Sequence, residues 1–96
     1  MSVQPEEAVG RYVVTGRVQG VGYRLWCRHQ AEALGVHGSV RNRCDGKVEV
    51  LARAAPDVLR AFEAKLRQGP LPARVEGVAS LPVHDEPSSA GFEIVS

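Results

Sequence analysis

Hydrophobic residues alternate with polar ones along several short stretches of the chain, and they recur every three or four positions along two longer ones. The first pattern predicts β-strands and the second predicts amphipathic helices. The predicted strands cover residues 11–18, 36–43, 47–52, 73–83 and 91–95. One predicted helix covers residues 23–34, and another begins around Pro56 and is closed by the Gly69-Pro70 pair. Residues 1–10 are expected to form a loose leader.

The order of these elements is strand, helix, strand, strand, helix, strand, followed by a short terminal strand. The Asp45-Gly46 pair between two alternating stretches predicts an antiparallel hairpin, and Gly77 predicts a bulge in the fourth strand. Two helices of about two dozen residues together cannot cover both faces of a four-stranded sheet. We therefore expect an α+β fold, a ferredoxin-like α/β sandwich (βαββαβ), with a four-stranded antiparallel sheet and both helices on one face. Residues 1–96 form one domain in this interpretation.

Composition excludes several classes of protein. The formal net charge of +1 disfavours a nucleic-acid binder that works through a broad basic face. The sequence has no run approaching the roughly 18 apolar residues of a membrane span, so we expect a cytoplasmic protein without membrane contact. Cys27 and Cys44 are the only cysteines. They are interpreted as reduced thiols, one of them buried, because nothing resembles a disulfide framework or a zinc-ligand set.

The richest concentration of anion-binding groups lies in residues 16–24. Gly20 and Gly22 lack a Cβ, so the backbone can turn through positive φ and direct several N–H groups at one point. A helix that starts near Tyr23 adds its unpaired first-turn N–H groups and the positive end of its dipole. Arg24 adds a planar fork of donors suited to two phosphate oxygens. These features predict a site for one phosphate or carboxylate group.

Two common phosphate-binding motifs do not fit this stretch. A nucleotide-binding P-loop needs GxxxxGK[ST], and no Gly-Lys-Ser or Gly-Lys-Thr ending is present. A dinucleotide fingerprint needs GxGxxG, and Leu25 stands where the third glycine belongs. The stretch is therefore interpreted as a small cradle for a single anionic group.

Two stretches of the sequence resemble a known family: the glycine-rich residues 16–24 and the predicted hairpin from residue 38 to residue 49. Residues 16–24 read GRVQGVGYR and resemble the acylphosphatase signature G-x-V-Q-G-V-x-[FY]-R at every defined position. Residues 38–42, which read GSVRN, resemble the second signature of that family together with Asp-Gly at 45–46 and Val-Glu at 48–49. The resemblance spans residues 11–95 without a large insertion.

The resemblance implies an acylphosphatase that hydrolyses small acyl phosphates to carboxylate and inorganic phosphate. By position, the phosphate-binding arginine of the family falls on Arg24 and its water-orienting asparagine on Asn42. The backbone N–H groups expected to bind the phosphoryl group are those of Gln19, Gly20, Val21, Gly22, Tyr23 and Arg24. The resemblance implies no metal and no cofactor. Inorganic phosphate or sulfate is the expected bound anion, and we expect a monomer.

Several alternatives remain open at this point. The side chain of Gln19 either contacts the substrate or lies on the surface, and Asn42 could cap the hairpin instead of acting in catalysis. A non-catalytic ferredoxin-like module that binds an anion or a phosphorylated ligand is the second candidate function. An RNA-binding module is weaker, because the third strand has no aromatic residue on which bases could stack. The remaining arginines singled out are interpreted as solvated charges that attract an anionic substrate: Arg17, Arg28, Arg41 and Arg43.

Overall fold

The computed structural model describes residues 7–84 and 90–95. Within these ranges the chain forms five strands and two helices. They are β1 (Ala8–Arg17), α1 (Tyr23–Leu34), β2 (His37–Asn42), β3 (Val48–Ala54), α2 (Pro56–Gln68), β4 (Arg74–Leu81) and β5 (Phe92–Ile94). The predicted order of elements is confirmed, and α1 has the predicted bounds. None of the described helices is both long and apolar enough to cross a lipid bilayer.

The strands form one sheet in the order β4-β1-β3-β2-β5. The pairs β4–β1, β1–β3 and β3–β2 are antiparallel, which confirms the ferredoxin-like arrangement. The terminal strand β5 pairs in parallel with β2, from Gly38 opposite Phe92 to Val40 opposite Ile94. The sheet formed by the described residues is therefore five-stranded and mixed, because the short closing strand adds to the edge of the predicted antiparallel four.

Both helices pack on one face of the sheet and enclose a single core. Each helix turns one stripe of buried side chains to the sheet: Tyr23, Cys27 and Ala31 on α1, and Leu59, Phe62 and Leu66 on α2. The facing strands contribute mainly valines, which suit a pleated, buried surface. Phe62 and Phe92 meet edge to face, with ring centroids 5.9 Å apart. The terminal strand is thus joined to the same core as α2.

The first strand departs from the prediction at its N-terminal end. β1 begins at Ala8, where it pairs with Ala54 at the end of β3. Residues 8–10 therefore belong to the sheet and not to the loose leader, whose residues 1–6 lie outside the described residues. Cross-strand pairing, which a local pattern does not record, extends the strand.

The predicted irregularity in the fourth strand is present beside Gly77. Thr15 pairs with Gly77 while Gly16 pairs with Val75, so Glu76 is the extra residue on β4. Gly16 approaches β4 so closely that a Cβ would stand 2.1 Å from the carbonyl oxygen of Arg74. The first glycine of residues 16–24 is therefore fixed by sheet packing, just before the chain leaves the sheet for the loop.

Candidate active site

The loop that joins β1 to α1 takes its shape from two glycines. Gly20 and Gly22 have φ angles of 74° and 78°, which side chains with a Cβ rarely adopt. No atom lies within 4 Å of the position that a Cβ would take at either residue. Glycine is therefore required here by backbone conformation and not by lack of space. Gly22 is also the N-cap of α1, and its carbonyl accepts the first helical bond from the Trp26 N–H at 3.0 Å.

The N–H groups of this loop have no acceptor in the part of the chain that the structure describes. Among the described residues, none of the backbone N–H groups of residues 19–22 donates a hydrogen bond. Those of Tyr23 and Arg24 open α1, where helical geometry supplies no acceptor. The first turn of α1 carries no acidic residue that would offset the positive end of the helix dipole. We call residues 19–24 the cradle, because they present a series of donors suited to an anion.

Arg24 lies in the first turn of α1 and has an uncommitted guanidinium. It is half-buried and forms no hydrogen bond or ion pair with any described residue. A cavity of about 200 Å³ opens beside it. The cavity is lined by Val18, Gly20, Gly22, Tyr23, Arg24, Leu25 and Ile94. Arg24, which carries a permanent charge, therefore lines the same concave surface as Gly20 and Gly22.

Gln19 takes a position that neither sequence interpretation anticipated. Its Nε2 donates to the carbonyl oxygen of Arg43 at 2.8 Å and to that of Lys47 at 2.9 Å. Both amide hydrogens are thereby used within the protein. The side chain is part-buried, and it connects the cradle to the turn between β2 and β3.

Asn42 is the last residue of β2 and is paired with Val48 at the start of β3. It is half-buried, and its Oδ1 is shielded from solvent without a hydrogen-bond partner among the described residues. A buried amide oxygen without a partner is unfavourable unless a ligand or water donates to it. Asn42 does not line the cavity beside Arg24. It adjoins Arg43, whose carbonyl Gln19 binds.

Comparison with known proteins identifies the family. The family model described as Acylphosphatase matches residues 10–94. The chain belongs to the acylphosphatase family. It is 46% identical over 74 residues to the acylphosphatase of Rhodopseudomonas palustris, covering 77% of this chain and 75% of that protein. It is 49% identical over 87 residues to acylphosphatase 2 of Ralstonia nicotianae, covering 88% and 90%. The crystal structure of acylphosphatase from Bacillus subtilis matches with a TM-score of 0.85 at 32% identity, covering 92% of this chain and 98% of that one.

Tyr23 fixes the start of α1 in this acylphosphatase fold. Its buried hydroxyl donates to the carbonyl oxygen of Leu66 near the end of α2, at 2.8 Å. Burial raises the pKa of Tyr23, with a smaller contribution from nearby Cys27. The hydroxyl therefore stays protonated and anchors the N-terminus of α1 against the second helix. The sequence predicted that a helix starts near Tyr23 but contained no signal for this bond, whose partners are 43 residues apart.

The two cysteines are free thiols in different environments. Cys27 is buried in the core and Cys44 is exposed. Burial raises the pKa of the Cys27 thiol, so it is a packing residue and not a nucleophile. In the part of the chain that the structure describes, no three histidine, cysteine, aspartate or glutamate side chains come together as metal ligands.

A second group of arginines lies on the sheet face opposite the helices. Glu49 accepts from Arg11 Nε at 2.6 Å and from Arg41 Nη2 at 2.7 Å. Burial alone would raise the pKa of Glu49, but the hydrogen bonds and charges of the two arginines outweigh it and hold that pKa below its usual range. We call Arg11, Glu49 and Arg41 the open-face cluster.

Two of the arginines interpreted as solvated charges also have carboxylate partners. Arg41 is paired with Glu49, and Arg43 is paired with Asp45 at 3.0 Å. A depression of about 300 Å³ beside the cluster is larger than the cavity at the cradle. However, each arginine that lines it already has a carboxylate partner. The smaller cavity is therefore the better site for an anion.

Proposed function

We propose that this protein is an acylphosphatase that hydrolyses the carboxyl–phosphate anhydride bond of small acyl phosphates, releasing carboxylate and inorganic phosphate. Membership of the family over residues 10–94 supports this activity. One structural observation carries the assignment of the site. Gly20, Gly22, Tyr23 and Arg24 of the cradle line one cavity, and neither their N–H groups nor the Arg24 guanidinium has a partner outside α1 among the described residues.

The cradle and Arg24 hold the phosphoryl group. Phosphoryl transfer spreads negative charge over the three equatorial oxygens, and positioning and electrostatic stabilisation then supply most of the catalysis. Backbone N–H groups fixed by Gly20 and Gly22 need little reorganisation as this charge develops. The guanidinium of Arg24 donates to two of the oxygens at once. The carboxylate of the substrate is a good leaving group, so it needs no protonation by the enzyme.

Asn42 orients the attacking water. Its Oδ1, which is buried and has no partner among the residues that the structure describes, accepts a hydrogen bond from the water. The water oxygen bonds to phosphorus while the bond from phosphorus to the acyl oxygen breaks. The carboxylate leaves with the electron pair, and the water proton passes to a phosphate oxygen. An amide is too weak a base to take that proton, so Asn42 acts by orientation.

We further propose that the reaction requires no metal ion, because Arg24 and the cradle supply the positive charge that a metal would otherwise provide. A cytoplasmic location is supported by the exposed thiol of Cys44, which suits a reducing compartment. The monomeric state remains a prediction.

The activity is tested by release of phosphate from benzoyl phosphate, with and without a metal chelator. We expect hydrolysis that is unchanged by the chelator. Asn42→Ala should lower kcat about 100-fold, the scale of losing one oriented polar group in an active site. Binding of inorganic phosphate by the protein without hydrolysis of benzoyl phosphate would instead indicate the non-catalytic anion-binding module.

A further inference from the structure

One side chain joins the two parts of the candidate active site. Gln19 belongs to the cradle, and its amide binds the carbonyls of Arg43 and Lys47, which are 24 and 28 residues away in the chain. The backbone of residues 19–22 forms no hydrogen bond with the β2–β3 turn among the described residues. The amide of Gln19 is therefore the hydrogen-bonded link between the loop that holds phosphate and the turn beside Asn42.

The two carbonyls that Gln19 binds belong to a closed ring at the turn. The Arg43 N–H donates to the Lys47 carbonyl at 2.8 Å, and the Gly46 N–H donates to the Arg43 carbonyl at 3.3 Å. Asp45 Oδ1 also accepts from the Lys47 N–H at 3.1 Å. These bonds fix the spacing of the two carbonyls, so one amide group can span them. The contact therefore positions the turn as a unit.

Asn42 belongs to the β2–β3 residue pair next to this turn. It precedes Arg43 in the chain, and its partner Val48 follows Lys47. A displacement of the turn relative to the cradle would therefore move Asn42 with it. Within residues 7–84 and 90–95, Asn42 Oδ1 has no hydrogen bond that would hold the side chain in place independently.

We propose that Gln19 is a positioning residue that sets the separation between the phosphate-binding cradle and the water-orienting Asn42. The inference rests on the proposed function and extends it to a residue that touches neither the phosphoryl group nor the water through its side-chain donors. Gln19 acts on the rate through Asn42, and phosphate is held by groups that do not depend on the side chain of Gln19.

The test is Gln19→Met, which keeps the length of the side chain and removes both donors without adding charge. We expect kcat for benzoyl phosphate to fall about 10-fold to 100-fold, since a misplacement of about 1 Å can reduce a rate 100-fold. The inhibition constant for inorganic phosphate should change less than about threefold. Gln30→Met on α1 is the matched control, because Gln30 forms no side-chain hydrogen bond among the described residues. It should leave both constants unchanged.

A double-mutant cycle separates positioning from general damage to the loop. If Gln19 acts through Asn42, Gln19→Met should lower kcat in the wild-type background but add little in the Asn42→Ala background. Equal effects in both backgrounds, an unchanged kcat, or a loss of phosphate affinity as large as the loss of kcat would overturn the proposal. Gln19→Asn, whose shorter side chain cannot span both carbonyls, repeats the test if the methionine variant is poorly folded. Failure of the wild type to hydrolyse benzoyl phosphate would contradict the proposed function itself.

Discussion

The cradle and the open-face cluster both present arginines, but they differ in whether the protein satisfies them. In the open-face cluster, Glu49 accepts from Arg11 and Arg41. In the cradle, Arg24 has no acidic partner among the described residues, and the neighbouring N–H groups have no acceptor. A paired arginine stabilises the fold, whereas an unpaired one beside open donors is available to a ligand. Residue type alone does not distinguish the two roles.

The two regions also differ in what holds them. The open-face cluster depends on side chains that pair across three adjacent strands. The cradle takes its shape from the backbone, through the positive φ of its glycines. Two side-chain anchors, Gln19 and Tyr23, connect it to the β2–β3 turn and to α2. Substitutions in the first region should therefore affect stability, and substitutions in the second should affect activity.

The largest expected effect is that of Arg24→Ala. Removing the guanidinium should lower kcat/KM for benzoyl phosphate by about 1,000-fold or more, the scale of an arginine that stabilises transferring phosphoryl groups. The free energy of unfolding should change little, because Arg24 forms no bond with the described protein. Steady-state kinetics and denaturant unfolding measure the two quantities. Arg41→Ala is the reciprocal control and should lower stability while leaving kcat/KM near that of the wild type. The reverse result would remove the distinction between the regions.

Gly22→Ala should have a smaller effect on activity. An alanine at a φ of 78° carries a strain of about 1–2 kcal/mol, which the loop can relieve by moving its N–H groups. We expect a rise in the inhibition constant of phosphate of about 10-fold, which corresponds to 1.4 kcal/mol. Gly77→Ala is the control, since the φ of Gly77 is not positive and the space around its Cβ position is open. Equal effects of the two substitutions would show that cradle conformation is not limiting.

Glu49→Gln should act on stability alone and depend on pH. The folded-state pKa of Glu49 is lowered, so its contribution is complete above the unfolded-state pKa of about 4.3 and is lost as pH falls through the folded-state value. We expect the variant to be about 1–2 kcal/mol less stable at pH 7, at the low end for a charged hydrogen bond because both arginines are partly exposed. The difference between wild type and variant should shrink below about pH 4. Urea unfolding at several pH values measures it, and a constant difference would contradict the assignment.

The features that sequence predicted are those that short-range chemistry determines. Gly20 and Gly22 favour a left-handed backbone because they lack a Cβ. The start of α1 at Tyr23 could be predicted because the spacing of its hydrophobic residues is a local pattern. The two anchors could not be predicted in this way. Gln19 and Tyr23 bind carbonyls that lie 24 to 43 residues away, and backbone carbonyls are present at every position in a sequence.

The same reasoning explains what the sequence analysis did not reveal on the sheet. Arg41 faces Glu49 in the β2–β3 register, which could be read from the predicted hairpin once the register is fixed. Arg11 joins them from β1, a strand that is distant in sequence. Residues 8–10 belong to β1 because β3 supplies a partner strand as far as Ala54. In each case tertiary pairing decides the outcome.

The most direct test of the central claim is a phosphate titration followed through the backbone amide signals of the ¹⁵N-labelled protein. The account predicts that the largest shifts occur at residues 19–24, that they saturate at one equivalent of bound phosphate, and that they are lost in Arg24→Ala. The amides of Arg11, Arg41 and Glu49 should change little. Saturable shifts centred on those three residues, with the cradle unaffected, would contradict it.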